Sequence, residues 1–171
     1  MYPLNFNLIG EYVYQFEIFG PPLVQKATRW TCACKKGRVY NPSRQDREYL
    51  EWQIKPFAPR DPLDGPIELS IYFFMPIPKG TSKRLREQMI NRVILPVKRP
   101  DADNLAYLVT NALKELVYID DSQVCAQHVY KFYGTDPKTV IRVRPILQAD
   151  PFGYHGPCGI DKEAGFDADD L

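Results

Sequence analysis

Four aspartates and an asparagine fall into two short clusters, Asp101-Ala102-Asp103-Asn104 and Asp120-Asp121-Ser122-Gln123. The first directly follows a stretch rich in Lys and Arg. Carboxylates beside bases are what an enzyme needs to hold a divalent cation against a phosphate. Asp101 and Asp103 stand two apart, and in extended backbone residues i and i+2 point to the same side, so both can face one cation. Mg²⁺ suits such oxygen donors, and Mn²⁺ is also acceptable. Bland readings compete. Asp at a helix start caps the helix and complements its dipole, and Asp120-Asp121 before a strand can be a turn. Spacing alone does not bring Asp121 back to the first pair. A D-x-D also serves transferases that use nucleotide sugars, but no Gly-rich nucleotide cradle accompanies it here.

The elements that must position these residues are legible in outline. Residues 104–116 carry Leu105, Leu108, Val109, Ala112, Leu113 and Leu116 at helical spacing, which predicts a helix with one apolar stripe, capped by Asp103 or Asn104. Residues 67–77 alternate Ile67, Leu69, Ile71, Phe73, Met75 and Ile77, which predicts a central strand. Residues 11–19 alternate with aromatics and read as a strand ended by Gly20-Pro21-Pro22. Residues 23–41 are basic and form a loop or a hairpin turning at Gly37. Helices are expected over 44–54, stopped by Pro56, and over 83–90, capped from Gly80-Thr81-Ser82. Residues 58–66 are a proline-rich loop. Residues 124–132 and 139–146 read as a hairpin around Gly134-Thr135-Asp136-Pro137.

The 171 residues, 44% hydrophobic and 25% charged, suit a single soluble domain able to bury a core without disulfides. The net charge of +1 hides an asymmetry. Basic residues crowd 26–47 and 79–99, whereas Asp150, Asp161, Glu163, Asp167, Asp169 and Asp170 crowd the end, so local charge points to a polyanion partner. Cys32, Cys34, Cys125 and Cys158, with His128 and His155, make no zinc spacing, so reduced thiols are expected. Nothing near Met1 resembles a signal peptide and no apolar run would span a bilayer, so a cytoplasmic protein without membrane contact is expected.

The stretch 98–131, KRPDADNLAYLVTNALKELVYIDDSQVCAQHVYK, resembles the signature of RusA-type Holliday junction resolvases. Those carry a D-x-D-N-L, an apolar helix containing A-L, and a D-D-x-Q leading into a strand that ends in Lys. The resemblance extends more weakly over residues 11–146. It implies a Mg²⁺-dependent endonuclease of DNA recombination and repair that binds four-way junctions as a homodimer and nicks two strands symmetrically, leaving a 5′-phosphate and a 3′-hydroxyl. It also implies that Asp101, Asp103 and Asp121 carry the metal and the catalysis, with Asp120 and Asn104 in support. Two positions depart from the family pattern. Tyr107 stands where the family commonly has a lysine, and Asn111 where it often has Asp. Lys98, Arg99 or Lys131 could supply the missing charge. A junction-binding protein with weak or no cleavage is the alternative.

The expected fold is α+β (α/β), one RusA-like domain over 1–147 with helices packed on a small mixed sheet, followed by an acidic, flexible tail over 148–171. Lys26, Arg29, Arg38, Lys98, Arg99 and Lys131 are the candidate DNA contacts, since Lys and Arg neutralise phosphates without regard to sequence. Trp30 and Tyr40, interleaved with bases, could stack on exposed nucleobases.

Overall fold

A computed structural model describes residues 14–31 and 38–146, with 29–31 and 38–40 as backbone only. The chain runs β1 (Tyr14–Phe19), β2 (Arg29–Thr31), β3 (Arg38–Tyr40), α1 (Arg44–Ile54), β4 (Ile67–Pro76), α2 (Lys83–Ile90), α3 (Ala102–Leu113), β5 (Val124–Gly134) and β6 (Lys138–Pro145). Short 3₁₀ turns cover Lys55–Phe57 and Asp121–Gln123. The architecture is α+β: a mixed four-stranded sheet in the order β1-β6-β4-β5, plus a two-stranded β2-β3 hairpin. The hairpin realises one of the two readings of the basic segment, while its turn at Gly37 lies outside the described residues, as do residues 11–13 and the acidic segment 148–171.

β4 is the central strand, and residues 67–71 are buried on both of its faces. Ile67, Leu69, Ile71 and Phe73 are fully buried toward the helices. The backbone N–H and C=O groups along its two edges pair with β5 (parallel) and β6 (antiparallel). This corrects the expected hairpin over 124–146. β5 and β6 are consecutive, but β4 lies between them, so they do not pair with each other. Residues 135–137 cross the end of β4, where Gly134 stands opposite Pro76. A Cβ at Gly134 would lie 2.9 Å from the Phe74 Cβ, so only glycine passes there.

α3 covers the sheet with Leu105, Leu108, Val109, Ala112 and Leu113, all essentially unexposed. α1 packs against α3 and β1 with Leu50 and Ile54, and β1 and β6 add Phe16, Ile18, Ile141 and Val143 to the same core. At roughly 25 cal/mol per Å² of apolar area, burial of this kind is the main force holding the helix in place. α3 begins and ends earlier than its periodicity suggests. The backbone turns extended at Lys114 and left-handed at Glu115 (φ 66°), and the Glu115 N–H donates to the Tyr118 carbonyl at 2.8 Å. Leu116 therefore packs on the core from a turn, not from a helix. α2 begins as expected, with Ser82 accepting from the Leu85 N–H at 3.5 Å.

The opposite sheet face carries Tyr72 stacked on Tyr130 at 5.0 Å, with Arg92 4.5 Å above the Phe132 ring. Among the described residues no helix is long and apolar enough to cross a membrane.

Gly134→Ala is expected to destabilise the protein by about 1–3 kcal/mol through overpacking against Phe74. Urea unfolding checks it: the midpoint falls while the slope is unchanged.

Candidate active site and nucleic-acid interface

α3 presents the two acidic clusters from opposite ends. Its buried stripe leaves Asp103, Asn104 and Tyr107 exposed. Asp101, not Asp103 or Asn104, occupies the N-cap position (φ −74°, ψ 145°), yet its side chain makes no capping hydrogen bond. The capping explanation for Asp101 thus fails geometrically. The Asp101 and Asp103 carboxylates make no hydrogen bond or ion pair among the described residues, so their lone pairs are open.

The loop before Asp101 is fixed from below. Lys131, on β5, donates through Nζ to the Pro100 carbonyl at 2.6 Å and to the Lys98 carbonyl at 3.2 Å. Its charge holds the loop that displays exposed Lys98 and Arg99 beside the Asp101 cluster.

The second cluster is built by a clamp. The Leu63 N–H donates to the Val117 carbonyl at 2.8 Å. Gln123 Nε2 donates to the Leu63 and Gly65 carbonyls at 3.1 and 2.9 Å. Its Oε1 accepts from the Asp120 N–H at 2.8 Å, while the Asp120 carboxylate accepts from the Ser122 N–H at 3.0 Å. These reciprocal bonds form a capping box. Asp120 is thus committed to local structure. Tyr118 is fully buried and donates its hydroxyl to the Thr110 carbonyl at 2.9 Å, and desolvation raises its pKa above the usual phenol range.

Sequence reasoning missed Lys114. Its Nζ lies 2.6 Å from Asp120 Oδ2 and 3.3 Å from Asp121 Oδ1. The signal was weak, because the contact spans a turn and follows no helical or strand period. The Lys114 ammonium, followed by the Ser122 N–H, holds the Asp120 carboxyl well below the usual carboxylate range. Asp120 and Asp121 in turn raise Lys114.

A groove of about 580 Å³ between α3 and β5 is lined by Asp103, Tyr107, Thr110 and Asp121, among others. Asp103 is in the first turn of α3, whereas Asp121 is tied to Lys114 at the helix's other end. The groove therefore joins these carboxylates without placing them on one ion. Among the described residues no three Asp, Glu, His or Cys side chains converge closely enough to hold a metal. The donor chemistry at Asp101 and Asp103 nevertheless fits Mg²⁺, which takes one or two carboxylates and completes its shell with water and phosphate oxygens.

The remaining candidates lie elsewhere. Lys26 forms an ion pair with Asp46 at 2.6 Å, at the edge of a second cavity across Tyr107. Arg29 and Arg38 pair backbones in the β2-β3 hairpin, and their side chains, like those of Trp30 and Tyr40, are outside the described set. Cys125 is exposed and unbonded.

Open carboxylates beside exposed bases, on a small mixed sheet, are the equipment of an enzyme that cuts nucleic acid. The chain belongs to the RusA endodeoxyribonuclease family: the model described as Endodeoxyribonuclease RusA matches residues 20–144. It is thereby an endodeoxyribonuclease of the class that acts on Holliday junctions. It is also similar to the uncharacterized protein YqaN of Bacillus subtilis (strain 168), with 28% identity over 136 residues, covering 77% of this chain and 96% of YqaN.

Two outcomes test this construction. Gln123→Ala is expected to lower stability by about 1–3 kcal/mol, since two half-buried carbonyls lose their donor. Asp120 has a depressed pKa, so its contribution is present above the unfolded carboxylate value of about 4 and is lost as pH falls below it. Denaturant titrations at stepped pH should show a shallower acid loss in Lys114→Met than in the parent protein, with little difference between pH 5 and 7.

Proposed function

We propose that this chain is a Mg²⁺-dependent resolvase that nicks four-way DNA junctions symmetrically as a homodimer, serving recombination and repair in the cytoplasm. The observation that carries the reading is the open Asp101/Asp103 pair at the start of α3, beside exposed Lys98 and Arg99, in a chain of this family. Asp101 and Asp103 would hold the cation, with Asp121 as the third carboxylate once the groove closes on DNA. Bound there, the ion would supply an activated water and offset charge on the leaving oxygen. Mn²⁺ is an acceptable substitute.

The chain's own residues do the rest. Lys98 and Arg99 neutralise the backbone phosphates next to the scissile one. Lys131 fixes the loop that carries them. Arg29 and Arg38 would add DNA contacts from the hairpin, and Lys26 would join them on releasing Asp46. Asp120 and Gln123 set where Asp121 stands, while the Asn104 backbone carbonyl ties the first turn of α3 to the Gln25 N–H. Two nicks require two sites, hence a dimer.

A second reading has one observation in its favour. Lys114 already neutralises Asp121, and Tyr107 puts an uncharged group on the groove. Both suit a protein that binds junctions and cleaves them poorly.

A labelled synthetic junction separates the two readings. With Mg²⁺, the parent protein should produce paired nicks leaving 5′-phosphates. Asp101→Asn, Asp103→Asn and Asp121→Asn should each fall to background while still binding, whereas Asp120→Asn should lose only about 10–100-fold, as residues that support metal ligands do. Tight binding with no nicks from the parent protein favours the second reading. Equal affinity for linear and branched DNA refutes both.

A further inference from the structure

The second cavity, of about 480 Å³, lies on the far side of Tyr107 from the carboxylate groove, and Tyr107 lines both. Its wall from α3 is Asn104, Tyr107 and Asn111, one side of the helix at positions i, i+3 and i+7. The opposite wall is the strap holding Gln25. The two walls are tied by the Gln25 N–H donating to the Asn104 carbonyl at 3.1 Å. Asn104 follows Asp103 directly, so this cavity opens within one residue of the open carboxylates.

Its chemistry selects the ligand. The two cations on its lining are neutralised: Lys26 by Asp46 and Arg47 by Glu51. A phosphate would find little net charge there. The lining is instead rich in amides, which donate and accept at once. Asn111 Nδ2 gives one of its two hydrogens to the Tyr107 carbonyl at 2.9 Å, and Gln25 Nε2 one to the Lys26 carbonyl at 3.2 Å. Their side-chain oxygens remain as acceptors, and the Asn104 amide has no partner among the described residues. The Tyr107 side chain is 58% exposed, so its ring is available for stacking. An uncharged, flat ligand with hydrogen-bonding edges matches this set. Nucleobases are such ligands, and unpaired ones are read by stacking on aromatics and by hydrogen bonds to their edges.

We infer that this cavity takes an unpaired nucleobase next to the scissile phosphate, with Tyr107 as its stacking platform and the Asn104, Asn111 and Gln25 amides reading its edge. This inference deepens the junction-cleavage reading and rests on its placing the phosphate at Asp101 and Asp103. A four-way junction needs little work to offer such a base, because pairs at the branch point are the most readily opened. Tyr107 thereby divides the site into a side for the phosphate and a side for the base.

The test reads binding, so that it does not depend on cleavage. Junctions carrying a single abasic nucleotide at each position flanking the branch point are titrated, without Mg²⁺, against the parent protein, Tyr107→Ala, Tyr107→Phe and Asn111→Ala. Tyr107 and Asn111 do not take part in the buried core, and circular dichroism confirms that each variant folds. At one position the abasic nucleotide should weaken parent binding by about tenfold, the scale of a lost base–aromatic stack. Tyr107→Ala should bind the intact junction equally weakly and be indifferent to the abasic substitution. Tyr107→Phe should behave as the parent protein. Full abasic sensitivity in Tyr107→Ala, or no abasic effect at any position, overturns the inference. If base coupling is present and the parent never nicks, the pocket stands and the cleavage reading falls. If nicking occurs without base coupling, the reverse holds.

Discussion

The burial of α3 between the sheet and α1 is the constraint on which the rest depends. Leu105, Leu108, Val109, Ala112 and Leu113 leave the helix one rotational setting. That setting decides which residues face outward. Asp103, Asn104 and Tyr107 are exposed because their neighbours in the stripe are not. The same packing fixes the two ends of the helix, and each acidic cluster sits at one of them. Losing a large side chain from such a stripe costs about 2–5 kcal/mol, so the site's geometry is backed by the most strongly held part of the core.

Two lysines then do structural work that a charge count would assign to DNA. Lys131 turns inward to the carbonyls of Lys98 and Pro100, and Lys114 to Asp120 and Asp121. The first sets a basic loop beside open carboxylates. The second keeps two adjacent aspartates from repelling each other at the end of a helix whose dipole already disfavours negative charge there. Tyr107 stands between the two cavities that flank the exposed side of α3. On the proposed reading, phosphate chemistry on one side and base chemistry on the other are set by residues one position apart, Asp103 and Asn104.

Much of this was legible in the sequence, for identifiable reasons. The α3 stripe and the β4 alternation are strong periodic signals; β4 lies where the pattern put it, and α3 begins and ends slightly earlier. Asp120, which the family resemblance implied as a supporting residue, lies in a capping box with Gln123. Other features have no local signature. Insertion of β4 between β5 and β6 depends on pairing across long separations, whereas the sequence presents β5 and β6 as neighbours joined by a turn-rich segment. The α3 stripe seemed to run to Leu116 because a residue in a tight turn can bury its side chain as well as a helical one. The hold of Lys114 on Asp121 and the clamp from Leu63 and Gly65 to Gln123 are tertiary contacts that obey no period. That Asp103 and Asp121, from before and after most of α3, line one groove is likewise a matter of tertiary packing rather than of any period.

The central claim is that Asp101 and Asp103, open at the start of α3, form the cation-binding end of a DNA-cleaving groove. Crystals of the protein soaked in Mn²⁺ and measured at the manganese edge test it directly. The account predicts an anomalous peak within coordination distance of the Asp101 and Asp103 carboxylates, abolished in Asp103→Asn. A peak at any other place in the molecule, with Asp101 and Asp103 left bare, would contradict it.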